Sequence, residues 1–314
     1  MTSKAIGTGA SAALARVSLA VPWAIGLAVF VFLAPSALAG GALFVALGIA
    51  AVTLTAFGAR EWGRAARTSA VFWENAARNA WMVGVLAAVL FFVRALSDSS
   101  RGIAQVARDL ALAFLPALYG LALAGLAAVP ALRLRTGGGE RRGDDAAAGS
   151  DRWLGAALFV VLVTWTVMRS PLGDAWRFAP WEMLLHWPAV LVVIGGALLV
   201  VAIAGAGLRR RIGVVALALA GMLASLAGLV LVLLGFADQS LARVASGLSF
   251  ILTSCFVALA GMLIVADPIE DRRAREGGDP FPINRTAWLL FPAATLIFLV
   301  IALVLAMTPM QQKM

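Results

Sequence analysis

GVLAAVLFFVRALSDSSRGIAQVARDLALAFLPALYGLALAGLAAVP, residues 84–130, and GMLASLAGLVLVLLGFADQSLARVASGLSFILTSCFVALAGMLIVADP, residues 221–268, decide the architecture. Each stretch is two apolar runs joined by a short polar loop, and a run of about 20 apolar residues suffices to cross a bilayer. The loops carry one acid and one base each, Asp98 with Arg101 and Asp238 with Arg243. Each stretch opens on glycine, ends on proline and is followed by a basic segment. The Gly-to-Pro spacing is 46 residues in the first and 47 in the second. This self-similarity reads as an internal duplication.

Working outward, nine apolar stretches read as helices, near 17–34, 41–58, 81–97, 105–132, 153–169, 184–208, 213–235, 241–266 and 286–308. Each hairpin is thus preceded by another helix pair. The expected fold is all-α: a polytopic helical bundle of about nine transmembrane helices, built as two parallel four-helix repeats plus a C-terminal helix. Four crossings return the chain to the same side, so the repeats are parallel rather than inverted. Residues 1–135 form the first repeat, the Gly-rich charged stretch 136–151 a cytoplasmic linker, 152–275 the second repeat, and 276–314 a loop and the last span. Ala37-Leu38-Ala39-Gly40 has the shape of a signal-peptidase site, but the apolar run before it is long for a signal sequence and another span follows at once. An uncleaved first helix is expected.

Composition agrees. Of 314 residues 62% are hydrophobic and 13% charged, with mean hydropathy +0.95; a soluble domain is about 45–50% apolar and about 25% charged. The net charge of +9 follows the loops rather than a nucleic-acid surface. Counted over alternate loops, Lys and Arg number 18 on one side and 6 on the other, with Arg108 inside a helix. The positive-inside rule then places the N-terminus in the cytoplasm and the C-terminus outside. A single cysteine, Cys255, excludes an intrachain disulfide, and with a single histidine, His186, it leaves no zinc or bis-histidine haem site. The sequence has no Walker loop, no G-x-S-x-G and no H-E-x-x-H. No enzyme, cofactor or metal is expected.

The hairpins resemble the last two transmembrane helices of the MotA/TolQ/ExbB proton-channel family. The resemblance is carried by Gly84 to Val89, by Ala113-Phe114-Leu115-Pro116-Ala117-Leu118-Tyr119-Gly120 with Pro130, and by Pro188 to Gly196, which is similar to the second helix of flagellar stator members. It implies helix-packing positions at Gly84, Gly120, Pro130, Gly221 and Pro268. It also implies an oligomer around a single-helix partner whose membrane carboxylate passes protons between flanking hydroxyls. Family members often carry threonines before the Tyr-Gly pair. This chain has Pro116 and Ala117 there, and Ser254 and Cys255 with adjacent Thr253 in the second half, where Val257-Ala258 replaces Tyr-Gly. The large cytoplasmic domain of stator members is missing.

No acid falls near the middle of any expected helix, where ionisable groups mark function. The ion-path candidates are therefore hydroxyl and thiol groups, Thr253, Ser254, Cys255, Ser225 and Tyr119, although such groups also serve as packing glue. His186, beside Trp181 and Trp187, is expected as an anchor at the external mouth of its helix. Residues 60–80 are expected to lie as an interfacial helix on anionic headgroups. Three readings follow: a channel-scaffold subunit of an ion-driven complex of the bacterial inner membrane, a scaffold that has lost conduction, and an autonomous transporter. The missing midplane carboxylate counts against the third. The expected partners are the lipid bilayer and a single-helix protein, with no nucleic acid.

Overall fold

The computed structural model describes residues 41–57, 69–97, 109–136, 185–204, 213–266 and 282–311, apart from single positions within them, and a few positions between 157 and 164. The expected first span, the Ala37–Gly40 site, nearly all of the linker, Pro268 and the loop with Asp98 and Arg101 lie outside the described residues. Among those described there is no strand. The α-helices are α1 (Gly41–Phe57), α2 (Ala70–Ser97), α3 (Leu115–Thr136), α4 (Trp187–Ile203), α5 (Gly213–Ala237), α6 (Leu241–Gly261) and α7 (Pro282–Gln311). Four helical stretches are long and apolar enough to cross a membrane: Ala70–Leu96, Leu115–Leu134, Gly213–Ala237 and Ala242–Ile264. The chain is a helical membrane protein. It divides into two compact units, residues 1–84 with 118–167, and 85–117 with 168–314.

In the first unit, the expected span 81–97 begins much earlier. Ser69 caps α2, its Oγ accepting from the Phe72 N–H at 3.3 Å, and the helix then runs unbroken from Ala70. Residues 70–80 are thus the first turns of a spanning helix rather than a surface helix. Phe72, Ala76 and Asn79 are buried while Val71 is half-exposed. The Asn79 amide donates to Thr55 Oγ1 of α1 at 3.1 Å, and Thr55 in turn donates to the Ala51 carbonyl at 2.8 Å. Cross-helix bonds of this kind contribute about 0.6 kcal/mol on average in a membrane helix pair. The α3 helix also departs from expectation. Instead of one helix over 105–132 there is a turn at Ala113–Phe114, and α3 starts at Leu115. Pro116 fits this start: without an N–H, and with a ring that would strike the carbonyl four residues back, proline is best accommodated in a first turn. Pro130, expected near the helix end, is passed over and α3 continues to Thr136; membrane helices tolerate such an interruption.

Glycine sets how closely α3 meets α2. A methyl group on Gly120 would lie 2.6 Å from the Ala80 carbonyl oxygen and 2.8 Å from the Gly84 Cα. The backbones touch at these two glycines. Beside them Tyr119 stands edge-on to Phe44 of α1, with ring centroids 5.9 Å apart.

In the second unit, α5 and α6 form the closest helix pair. Gly221, Gly228 and Gly235 recur every seventh residue on α5, and each meets a residue of α6 at the same period: Ala258, Ile251 and Val244. A seven-residue contact period belongs to helices that wind gently about each other in a left-handed sense. A methyl on Gly228 would lie 3.0 Å from the Gly247 oxygen, and one on Gly247 would lie 2.7 Å from the Val232 nitrogen. Small residues let membrane helices gain dispersion contacts that lipid cannot replace. The turn between the helices closes with the Ser240 N–H donating to the Gly235 carbonyl at 2.8 Å. Ser240 Oγ then accepts from the Arg243 N–H as the α6 cap. Arg243 also pairs with Asp238, both half-exposed, a placement worth at most about 1 kcal/mol.

α4 packs on α5 through Gly196 against Ala220, and α7 through Phe291 against Gly221. The last turn after α6, Met262–Ala266, is π-helical. The outer faces of α4, α5 and α7, with Leu191, Leu198, Leu223, Val230, Leu289 and Ile297, are bare and apolar, as faces toward lipid are. Gly195 lies on such a face, and a methyl there would meet nothing within 4 Å. Gly195→Ala should leave the melting temperature in detergent unchanged or raise it, by up to about 1 kcal/mol in stability. A lowered melting temperature would show that this face is covered.

Candidate functional site

Thr253, Ser254 and Cys255 are consecutive on α6, so each side chain leaves the helix about 100° from the last. All three are fully buried, and they turn to three different neighbours. Thr253 Oγ1 accepts the backbone N–H of His186 at 3.3 Å. The Ser254 hydroxyl donates to its own Phe250 carbonyl at 2.7 Å. Cys255 Sγ lies 3.4 Å from Ser225 Oγ of α5 and also bonds the Thr295 side chain of α7. Ser225 donates to the Gly221 carbonyl at 2.8 Å, and Thr295 to the Phe291 carbonyl at 3.0 Å.

Of the candidates named from sequence, the structure brings Ser225 and Cys255 together and adds Thr295, which sequence reasoning passed over. Thr295 sits four residues after Phe291 on the helix that covers Gly221. Its only signal in the sequence is that it is a polar residue inside an apolar span. Thr253 and Ser254 belong to other faces of α6. Tyr119 is in the other unit, half-buried against Phe44. Gly84, Gly120 and Gly221 are close-contact positions, Pro130 lies inside α3, and Pro268 is outside the described residues.

The larger addition is His186. It caps the start of α4, its carbonyl accepting from the Ala189 and Val190 N–H groups, and its side chain lies along α6. Nε2 is 3.4 Å from Ser246 Oγ, and the ring is tilted on Phe250 with centroids 5.4 Å apart. With Thr253 these contacts, at 246, 250 and 253, trace one face of α6. The Ala242–Ile264 span has 23 residues, and Thr253 is its midpoint. At 1.5 Å per residue His186 is therefore roughly 6–16 Å from the Asp238–Arg243 end of the span. The ring itself, on Ser246 and Phe250, lies one to two helical turns into the apolar stretch of α6. Nδ1 is buried and has no hydrogen-bond partner among the described residues.

The helix pair of the first half answers to a known family. Residues 56–141 match the model of the MotA/TolQ/ExbB proton channel family, and the match supports membership of that family. It covers Gly84, Tyr119, Gly120 and Pro130 but not the stretch Pro188 to Gly196, on which the resemblance also rested, and it supports a channel-type membrane subunit. No curated protein and no solved structure matches the chain.

Proposed function

We propose that the chain is the channel-scaffold subunit of a proton-driven complex of the bacterial inner membrane, without enzymatic activity, acting with a single-helix partner that carries a membrane carboxylate. The observation that carries this reading is the family match over residues 56–141. The reading includes nine spans with a cytoplasmic N-terminus, arranged as two parallel four-helix repeats and a final helix. Paired contacts favour the duplication. Gly84 meets Gly120 and Gly221 meets Ala258, the same two positions of each hairpin once the second is allowed its one extra residue. The partner supplies what the chain lacks, because a bare charge at the bilayer centre costs several kcal/mol, on the order of 3 or more.

A second reading, a scaffold that no longer conducts, is favoured by the inward-turned hydroxyls. Ser225, Ser254 and Thr295 each bond their own helix, leaving little to line a path. Proteoliposomes with a pH-sensitive dye test both. The purified chain alone should pass no protons. Membranes holding the assembled complex should pass them, and replacing Thr253 and Ser254 together by valine and alanine should abolish the flux, whereas changing Ala117 should matter little. Robust flux through the chain alone would overturn the need for a partner. A silent assembled complex would leave the scaffold.

A further inference from the structure

We infer that His186 is a proton-binding site of this chain, set inside the membrane span, with Nδ1 as the atom that takes up and releases the proton. The inference rests on the channel reading only for the use to which the proton is put. Four observations converge on it.

The imidazole lies beside Ser246 and Phe250 of α6, one to two turns into its apolar stretch, where an ionisable side chain defaults to a functional hypothesis. It is held from two sides, by Thr253 through the backbone N–H and by Ser246 through Nε2. Its second nitrogen is left over: Nδ1 is buried with no hydrogen-bond partner among the described residues. Buried polar atoms are otherwise paired as a rule. Finally, among the described residues of α4, α5 and α6 a single fixed charge stands near it, that of Arg243, one helical turn before Ser246. α4 and α5 carry no charged residue, and α6 carries Arg243 alone, which is already paired with Asp238. Asp174, Arg177 and Glu182, which precede it in sequence, lie outside the described residues.

Histidine suits this arrangement because its two nitrogens can be used separately. In the neutral ring with the proton on Nε2, that N–H donates to Ser246 Oγ, and Nδ1 offers a lone pair. A proton delivered to Nδ1 gives the imidazolium without breaking the Ser246 contact, since Nε2 remains a donor in both states. Loss of the same proton restores the neutral ring. Only a proton is exchanged, between Nδ1 and a water or an acid group facing it. Ser246 fixes the ring orientation and Thr253 fixes the depth of the helix start. Both are positioning residues.

The chain has a single histidine, so 15N-histidine labelling of the full chain in lipid nanodiscs reports on His186 alone. Acidification should convert the neutral nitrogen pattern to the doubly protonated one, reversibly. Ser246→Ala should alter the balance of the two neutral tautomers. A ring whose pattern does not change on acidification of the folded chain would overturn the inference with no variant made. In membrane vesicles holding the assembled complex, His186→Gln should lower proton flux by about a hundredfold or more, as loss of a proton-transfer group does. Flux retained by His186→Gln overturns the inference and leaves the channel reading standing. A titrating ring in a complex that passes no protons supports the site and overturns the channel reading.

Discussion

Gly247→Ala will separate α5 from α6. The added methyl would lie 2.7 Å from the Val232 nitrogen, 2.7 Å from Val232 Cγ2 and 2.8 Å from the Gly228 oxygen. Two of those three atoms are backbone, so no side-chain rotation relieves the clash and the helix axes must move apart. Overpacking of this kind costs about 1–3 kcal/mol, occasionally more. The consequence is larger than that range suggests. Membrane helices have no hydrophobic force drawing them together, because lipid tails are as apolar as leucine, and close packing does most of the work. Widening the seam at Gly247 also strips contact from Gly228 and from Ile251. The expected result is a sharp fall in melting temperature in detergent, with helix content kept, and loss of the folded chain altogether for Gly247→Leu. Gly195→Ala is the matched control on an open face. Equal melting of wild type and Gly247→Ala would refute the closeness of the seam.

Phe291→Ala will release α7 from the pair. The ring is almost fully buried against Gly221, where a methyl would come within 2.8 Å of its Cζ. Removing a buried phenylalanine from a soluble core costs about 3–5 kcal/mol, part of it transfer to water and part the cavity left behind. In lipid the first part shrinks, leaving a loss of about 2 kcal/mol from the cavity. The polar contacts nearby weaken with it, because Thr295 reaches Cys255 only while Phe291 keeps α7 seated. Limited proteolysis between residues 267 and 281 should then become faster, and a fluorescence pair spanning α5 and α7 should move apart. An unchanged distance would mean that Phe291 is not what seats the helix.

The sequence laid out much of this fold, for physical reasons that can be named. The α5 and α6 runs were legible almost to the residue, since an uninterrupted apolar run bounded by Asp238 and Ser240 has few other ways to satisfy its backbone in a membrane. Gly84 and Gly221 were legible through the spacing of the two hairpins, and Gly120 through the family resemblance. The start of α2 was misplaced because Glu74 and Arg78 looked like a headgroup-facing surface, although Ser69 followed by a helical run carried a capping signal. The break before α3 was signalled by Pro116. The candidate site was less legible. That Thr253, Ser254 and Cys255 could not share one face follows from the helical period alone. Which neighbour each would meet depended on packing between distant segments. The depth of His186 had no local signal. It is set by where α4 docks, through Gly196 on Ala220 of α5 and the Thr253 bond to α6, contacts between residues far apart in sequence.

Cys255 is the chain's one thiol and is sealed among three helices, with Ser225 and Thr295 beside it. Water-borne maleimides have no native target in the folded protein. Cysteines introduced on either side of the membrane will therefore report sidedness in an otherwise unaltered sequence, one reagent pulse per loop. The same burial makes Cys255 an unfolding clock: its modification begins only when α5, α6 and α7 part.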